Sequence, residues 1–116
     1  MTPTIVLKNG KPYVIVGTPG GTTITTSVFQ TIVDILEFGL SAADAVNKPK
    51  FHHQWLPDHL LMERDFSPEV REGLKQMGYK IVLTSQIGRT EVIQLYPDGK
   101  IVAVGDKRGE DSADGY

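Results

Sequence analysis

Short apolar runs separated by turn residues open the chain. Thr4 to Leu7 and Tyr13 to Val16 are rich in β-branched residues. Lys8-Asn9-Gly10-Lys11 lies between them and contains the Asn-Gly pair that favours a tight hairpin. Both runs are apolar at successive positions instead of alternating, which is typical of strands covered on both faces. The pattern therefore predicts a hairpin inside a layered sheet.

Apolar residues with helical spacing come next and predict a helix from Ile24 to Phe38, which Gly39 ends. The spacing predicts one broad buried face on this helix, formed by Ile24, Val28, Ile32, Ile35 and Leu36. Ser41-Ala42-Ala43-Asp44 has the form of a capping box, so a short second helix is expected to stop near Pro49.

The spacing of apolar residues changes again in the second half of the chain. Phe51 to Asp58 forms an aromatic, proline-bounded connection, and Leu60 to Met62 is apolar enough for a short strand. Ser67-Pro68-Glu69 combines an N-cap residue, a first-turn proline and an acid suited to the helix dipole. A polar surface helix is therefore predicted from Pro68 to Met77, ending at Gly78.

Three strands are predicted in the last third: Tyr79 to Leu83, Glu91 to Tyr96 and Lys100 to Val104, with Pro97-Asp98-Gly99 as a hairpin turn. The residues from Gly105 onward are polar and acidic, which predicts a surface loop. We find no internal repeat and no low-complexity linker. The order of elements predicts a single α/β domain over residues 1–116, with sheet at both ends.

Composition narrows the functional classes. The 116 residues, 40% hydrophobic and 22% charged, fit one domain with one core. A net charge of −2 and a pI near 5.9 do not favour nucleic-acid binding. The absence of cysteine excludes disulfides, thiolate metal ligands and a cysteine nucleophile. No run approaches the roughly 20 apolar residues of a membrane span. Residues 1–4 lack the charged and apolar regions of a signal peptide. These features do not assign the chain to a cellular compartment.

The candidate chemistry lies in Gly17-Thr18-Pro19-Gly20-Gly21-Thr22-Thr23, between a predicted strand and a predicted helix. Adjacent glycines let another group approach the main chain, and the helix start adds unpaired N–H groups and a positive dipole end. The loop is therefore expected to hold a negatively charged group. It lacks the Gly-Lys-Ser/Thr ending of a P-loop, so a nucleotide site is disfavoured, and a plain strand-to-helix turn is the other interpretation.

The remaining polar and aromatic candidates point to structural roles. His52, His53 and His59 do not show a recognised metal-ligand spacing, so no metal is predicted, and no cofactor motif is present. Trp55, together with Phe51, is expected to anchor the connection by packing rather than to line a ligand groove. Four threonines are candidate nucleophiles but are interpreted as capping and packing residues. They are Thr22, Thr23, Thr25 and Thr26.

Two long motifs resemble those of the γ-glutamyltranspeptidases, or glutathione hydrolases. Gly17-Thr18-Pro19-Gly20-Gly21-Thr22 is similar to the family's G-S-P-G-G-S, with threonine for serine at positions 18 and 22. Residues 50–58 are similar to R-F-H-H-Q-W-L-P-D, with Lys50 in place of arginine. Pro3 to Val6 resembles S-P-T-I-V, and Asp111 to Tyr116 resembles the acidic Gly-Tyr end. The resemblance covers essentially the whole chain.

This resemblance implies an N-terminal-nucleophile hydrolase with an αββα sandwich of mainly antiparallel sheets. In that family, autocleavage of a precursor frees a threonine that attacks the γ-glutamyl amide, with its own α-amino group as base. Residues 1–116 are then expected to be the C-terminal part of the small subunit, beginning just after a substrate-binding Ser-Ser pair. The nucleophilic threonine, the carboxylates that hold the substrate amino group and the large-subunit arginine that holds its carboxylate are expected elsewhere.

The resemblance carries the family's oxyanion hole onto the backbone N–H groups of Gly20 and Gly21. It implies γ-glutamyl substrates such as glutathione, a periplasmic or secreted location, and as partners the remainder of the small subunit and the large subunit. The isolated chain is expected to be inactive and to self-associate. A non-catalytic binding or assembly domain on the same scaffold remains the alternative. Gly88-Arg89-Thr90-Glu91 departs from the family's G-S-T-Q, and no function is carried onto it.

Overall fold

Two sheets and three helices make up residues 2–114, the part of the chain that the computed structural model describes. Met1, Gly115 and Tyr116 lie outside it, so the Gly-Tyr end of the motif at 111–116 does too. The strands are β1 (Thr4–Lys8), β2 (Lys11–Gly17), β3 (Phe51–His52), β4 (Leu60–Glu63), β5 (Ile81–Thr84), β6 (Glu91–Leu95) and β7 (Ile101–Val104). The helices are α1 (Thr23–Leu36), α2 (Ala42–Asn47) and α3 (Pro68–Gln76).

The larger sheet has the strand order β1-β2-β6-β7 and is antiparallel throughout. The predicted hairpin joins β1 to β2, and its turn residues Asn9 and Gly10 have φ angles of 53° and 75°. The Asn-Gly signal therefore located the turn correctly, because these residues tolerate positive φ. Strand β2 lies inside the sheet between β1 and β6, and its last residue, Gly17, pairs with Glu91, the first residue of β6.

One face of this sheet packs against α1 and α2. Alternate residues of β2 and β6 face the helices, and the cross-strand pair Val16 and Val92 is almost fully buried. Helix α1 contributes Val28 and Ile35 to the same cluster. The rest of the buried cluster is Val14, Ala42, Ala45 and Val46. Burial of these apolar side chains is the main stabilising term of the fold.

The opposite face of the sheet is open, so the expectation of strands covered on both faces is wrong for the described residues. Ile5, Ile15, Ile93 and Ala103 are cross-strand neighbours and form one row on this face. Ile5 is 58% exposed and Ile93 is 41% exposed. The successive apolar residues of β1 and β2 thus include one set that packs on the helices and one set that remains accessible.

The smaller sheet has the order β3-β4-β5, with β3 antiparallel and β5 parallel to β4. Helix α3 makes the crossover between the two parallel strands, as a parallel connection requires. Ser67 accepts a hydrogen bond from the N–H of Val70 over 3.3 Å, and α3 has no buried residue. The predicted polar surface helix is confirmed, as is the Ser41 cap of α2, which accepts from the N–H of Asp44.

Three expectations for the irregular segments are wrong. The connection predicted at Phe51 to Asp58 begins with the two-residue strand β3. Trp55 is 77% exposed and does not anchor that connection. The segment after Gly105 is not wholly a surface loop, because Asp106 is 1% exposed and Arg108 is engaged in buried ion pairs. None of the helices within residues 2–114 is long and apolar enough to cross a membrane.

We expect Val92→Ala to lower the free energy of unfolding by about 2 kcal/mol, because it removes two buried methyl groups and leaves a cavity. Ile93→Ala, at the next position of β6, removes more atoms but from the open face, and should cost less than about 1 kcal/mol. Urea unfolding of the two variants measures both values. Equal or inverted costs would contradict the assignment of the buried face.

Candidate functional site

The candidate loop connects the end of β2 at Gly17 to the start of α1 at Thr23. Thr18 is fully buried at its base, whereas Pro19, Gly20 and Gly21 are exposed. Gly20 has a φ of 143° and Gly21 a φ of 59°, in the region that L side chains rarely adopt. A Cβ at Gly20 would also clash with Oγ1 of Thr23, while one at Gly21 would meet open space.

The carbonyl groups of Pro19, Gly20 and Gly21 all accept hydrogen bonds from the loop itself or from the first turn of α1. The Thr18 hydroxyl donates to the carbonyl oxygen of Pro19 over 2.8 Å. The carbonyl oxygen of Gly20 accepts from the N–H and the hydroxyl of Thr23, over 3.2 Å and 2.9 Å. The carbonyl oxygen of Gly21 accepts from the N–H of Ile24 over 3.2 Å. The predicted side-chain cap at Thr22 is absent, and Thr23 makes the bond to the loop instead.

The amide groups of Gly20 and Gly21 point the other way. In a planar trans peptide the C=O and the following N–H are opposed, so an inward Pro19 carbonyl turns the Gly20 N–H outward. The inward Gly20 carbonyl does the same for the Gly21 N–H. Among residues 2–114 neither N–H has a hydrogen-bond acceptor. Two exposed donors at the positive end of α1 are suited to a negatively charged oxygen.

The loop rests on the segment Ile87 to Thr90. The N–H of Arg89 donates to the Thr18 hydroxyl oxygen over 2.8 Å. Gly88 has a φ of 66°, and a Cβ there would lie 2.8 Å from Oγ1 of Thr18 and 3.2 Å from Oγ of Ser27. Glycine is required at position 88 because the two segments approach closely. The Arg89 side chain forms an ion pair of 3.0 Å with Asp111.

Two buried carboxylates hold this segment at its ends. Glu63 accepts from the N–H of Ile87 over 2.7 Å, and Asp106 accepts from the N–H of Thr90 over 2.6 Å. Arg108 joins the carboxylates: Nε and Nη2 donate to Glu63 over 2.7 Å and 2.6 Å, and Nη1 donates to Asp106 over 3.0 Å. The three side chains form a closed buried cluster behind the loop.

The electrostatics of the cluster favour its charged form. Burial by itself raises the pKa of the Glu63 carboxyl, but hydrogen bonds from Arg108 and the amides of Ile87 and Lys50 outweigh it and hold that pKa below the ordinary 4.5. Burial lowers the pKa of the Arg108 guanidinium, yet Glu63 and Asp106 raise it overall. Buried charges are tolerated here because each one is paired and hydrogen-bonded.

Lys50 extends the same cluster toward α2. Its side chain is 1% exposed, and Nζ donates to the carbonyl oxygen of Ala45 over 2.9 Å, with those of Val46 and Lys48 at 3.4 Å. Burial, followed by the nearby Arg108 charge, lowers the pKa of Lys50 from 10.5 to about 8, although Asp106, Asp34 and Glu63 oppose the shift. A cation at the C-terminal end of α2 is favoured by the helix dipole.

The histidine-rich connection lies beside α1 and is structural where it is buried. Nδ1 of His52 lies 2.7 Å from the Thr26 hydroxyl, and Nε2 lies 2.9 Å from the side-chain oxygen of Gln54. His53 pairs with Asp58 at the surface over 3.2 Å. Within residues 2–114 no group of three or more possible ligands is arranged to hold a metal.

The sequence-based interpretation identified the loop but missed its support. The sequence predicts no role for Glu63, Asp106, Arg108 or Gly88, and for Thr18 it shows only a hydroxyl where the family motif has serine. Gly88 had a usable signal, since an isolated glycine before a strand often marks a close backbone approach. Asp106 and Arg108 offered only a closely spaced acid and base in a polar stretch, and such pairs are usually exposed.

Comparison with known proteins identifies this architecture. The gamma-glutamyltranspeptidase family profile matches residues 1–116. The glutathione hydrolase proenzyme of Escherichia coli is 44% identical over 111 residues, which is 96% of this chain and 19% of that protein. The chain therefore belongs to the γ-glutamyltranspeptidase family. It spans about a fifth of the length of this curated relative.

Solved structures show the same fold. A mutant γ-glutamyltranspeptidase of Helicobacter pylori matches with a TM-score of 0.89 and 40% identity, over 94% of this chain and 61% of that one. The Pseudomonas nitroreducens enzyme in complex with L-DON matches with a TM-score of 0.92 and 30% identity, over 100% of this chain and 62% of that one. The predicted fold class, a part of an N-terminal-nucleophile hydrolase with mainly antiparallel sheets, is confirmed.

The lowered pKa of Lys50 makes stability depend on pH. Between pH 8 and 10.5 the unfolded chain keeps the lysine proton and the folded chain releases it, so stability rises with pH in this window. Lys50→Arg, the residue of the family motif, stays charged throughout. Relative to this variant, the wild type should gain about 2 kcal/mol between about pH 7.5 and pH 9.5.

Urea unfolding of both proteins at the two pH values measures this difference. If the two proteins change in parallel with pH, Lys50 does not titrate in this window and the burial argument is wrong.

Proposed function

We propose that this chain forms the oxyanion hole of a γ-glutamyltranspeptidase, which cleaves γ-glutamyl amides such as glutathione by hydrolysis or by transfer to an acceptor. The observation that carries the proposal is the pair of amides at the exposed residues Gly20 and Gly21, which have no acceptor within residues 2–114, while the carbonyls of Pro19, Gly20 and Gly21 are held by other hydrogen bonds. Family membership supports the substrate class, because relatives are named glutathione hydrolase.

In this mechanism a threonine hydroxyl adds to the γ-glutamyl carbonyl carbon, and its proton passes to the threonine α-amino group. The carbonyl π electrons move onto oxygen, and the N–H groups of Gly20 and Gly21 stabilise the resulting negative charge. When the intermediate collapses, the C–N bond breaks and the leaving amine takes the proton. Water or an acceptor amine then attacks the γ-glutamyl-threonine ester and releases the enzyme.

Fixed backbone donors suit this task because they need no reorganisation as the charge develops. Loss of one such donor typically costs about 3 kcal/mol in the barrier. Gly20 and Gly21 also keep side chains out of the space in front of the donors. Thr18 and Thr22 keep a hydroxyl where the family motif has serine, so the substitutions preserve the hydrogen-bonding chemistry of the loop.

The threonine nucleophile is assigned to another part of the full-length polypeptide. The hydroxyls of Thr18, Thr23 and Thr26 donate to the carbonyl oxygens of Pro19, Gly20 and Thr23, respectively, so they are committed to the backbone. Residues 1–116 are proposed to be one domain, the C-terminal part of the small subunit of a precursor. The remainder of that subunit and the large subunit are its proposed partners.

Gly21→Ala in the full-length protein should lower kcat/KM for a γ-glutamyl anilide by about 10², because the new methyl group occupies substrate space and strains the donor. Gly39→Ala is the matched control. Gly39 also has a positive φ, 66°, and an added Cβ there also meets open space. The control therefore has the same backbone strain away from the site and should keep most of the activity.

Aniline release by the purified full-length variants is the measurement. Equal activity of Gly21→Ala and wild type would remove the loop from the catalytic site.

The isolated chain should not release aniline above background. Turnover that is abolished by a mutation in this chain would contradict the assignment of the nucleophile elsewhere.

A non-catalytic assembly domain is the second candidate, and the open face of the larger sheet favours it. Ile5, Ile93 and Ile101 expose apolar surface there, with Ile101 64% exposed. Exposed apolar patches of this kind mark contact surfaces. An active full-length enzyme that depends on Gly21 would exclude this candidate as the sole function, although the face would still serve assembly.

The isolated chain should self-associate through this face, giving a mass above its 12.8 kDa monomer in sedimentation at micromolar concentration. Ile5→Glu should shift the population toward monomer, because a buried carboxylate in the contact is unfavourable. Val70→Glu replaces another exposed aliphatic residue with glutamate, on α3, the crossover helix of the smaller sheet, and should have no effect. A clean monomer for the wild type would contradict the prediction.

A further inference from the structure

The Thr18 hydroxyl is the point where the candidate loop meets the rest of the molecule. It donates to the carbonyl oxygen of Pro19 over 2.8 Å and accepts from the N–H of Arg89 over 2.8 Å. The side chain is 0% exposed, so water does not compete for either bond. Both the donor and the acceptor function of the hydroxyl are therefore used by backbone groups.

The first of these bonds fixes the direction of the Gly20 amide. The carbonyl of Pro19 and the N–H of Gly20 belong to one planar peptide unit, so holding the oxygen inward holds the hydrogen outward. If the Pro19 carbonyl were released, this unit could rotate, and glycine at position 20 places few limits on such rotation. One hydroxyl thus selects one orientation of an otherwise permissive peptide.

The second bond fixes the hydroxyl itself. Arg89 lies at the centre of the segment Ile87 to Thr90, whose ends are bound to Glu63 and Asp106. Gly88 packs so closely that an added Cβ would lie 2.8 Å from Oγ1 of Thr18. The segment is therefore a rigid support, and the Thr18 hydroxyl is hydrogen-bonded both to it and to the loop.

We propose that Thr18 is a positioning residue that aims the Gly20 N–H at the reacting carbonyl oxygen, with the carboxylate-bound segment Ile87 to Thr90 as its fixed support. The inference rests on the proposed function, because it concerns the same reaction. It adds a residue outside the two glycines, and it assigns a role to the Gly88-Arg89-Thr90 motif. A purely structural hydroxyl would only satisfy buried polar groups and would have no specific effect on the transition state.

The test compares three variants of the full-length protein. Thr18→Val has nearly the same shape and lacks the hydroxyl, Thr18→Ser keeps the hydroxyl, and Thr31→Val makes the same chemical change at another fully buried threonine. Thr31 donates to the carbonyl oxygen of Ser27 within α1, over 2.9 Å. It therefore controls for the loss of a buried threonine hydroxyl away from the loop.

Thr18→Val should lower kcat by about 10- to 100-fold, with KM within about 3-fold of wild type, because a misdirected donor affects the transition state more than substrate binding. Thr18→Ser should restore kcat to within about 3-fold, and Thr31→Val should leave it near the wild-type value. Rates are expressed per mature, cleaved enzyme, and the cleaved fraction is measured on gels for every variant.

Gly20→Ala distinguishes a failure of the positioning role of Thr18 from a failure of the proposed oxyanion hole. If Gly20→Ala loses kcat while Thr18→Val keeps it, the positioning role is wrong and the oxyanion hole stands. If Gly20→Ala itself keeps kcat, the proposed function is wrong. Equal losses in Thr18→Val and Thr31→Val would also overturn the positioning role, since the effect would then not be specific to the loop.

Hydrogen–deuterium exchange of the full-length variants decides the matter if Thr18→Val does not mature. Exchange should become faster in residues 18–23 and 87–90 of this variant, and remain unchanged in α3. Thr18→Ser should exchange like the wild type. Unchanged exchange in residues 18–23 of Thr18→Val would show that the hydroxyl does not hold the loop, and would overturn the proposal.

Discussion

One guanidinium organises the part of this structure on which the candidate site depends. Arg108 forms a paired contact with Glu63 and a further bond to Asp106, and it donates to the carbonyl oxygens of Val46 and Lys48 at the end of α2. It thereby joins the end of β4, the last turn of α2 and the segment after β7. Burial of such a cluster adds little net stability, but removal of one partner leaves a buried charge unpaired and typically costs about 3–5 kcal/mol. The role of the cluster here is to fix the position of the segment Ile87 to Thr90.

The topology of the larger sheet explains why this geometry reaches the loop. Strands β2 and β6 are antiparallel, and Gly17 pairs with Glu91. The residues that follow β2 must therefore lie beside the residues that precede β6, which brings Thr18 next to Arg89. Because β2 is an internal strand, it is paired on both sides and its end is not free to shift. The loop is thus anchored by the register of the sheet before any side chain contributes.

Local signals were sufficient for most of the elements. Asn9-Gly10, Ser67-Pro68 and Pro97-Asp98-Gly99 each act through the conformation of adjacent residues, and each turn or cap was located correctly. Strand and helix ends differed by one or two residues, as expected where ends fray. The two-residue strand β3 carried no such signal, since its pairing with β4 comes from a different part of the chain.

Long-range contacts account for the misses at the site. The bond from Arg89 to Thr18 spans 71 positions, and Arg108 reaches Val46 across 62. Periodicity and propensity contain no information on such pairs, so they predict a polar surface loop where the structure has a buried cluster. The packing prediction for Trp55 is wrong for a different reason. An aromatic side chain packs only where a partner surface is present, and within residues 2–114 Trp55 is 77% exposed.

The same sequence separations set the order in which the residues of this network are synthesised. Gly20 and Gly21 are synthesised before Asp106 and Arg108, which follow more than eighty positions later. Domains generally fold as units while the chain is made from its N-terminal end. The hairpin of β1 and β2 is able to form from local residues, but the support behind the loop is incomplete until the last part of the network emerges. A chain that stops short of position 106 therefore carries the complete glycine motif and Glu63, but lacks Asp106, which binds the N–H of Thr90, and Arg108, which joins the two carboxylates.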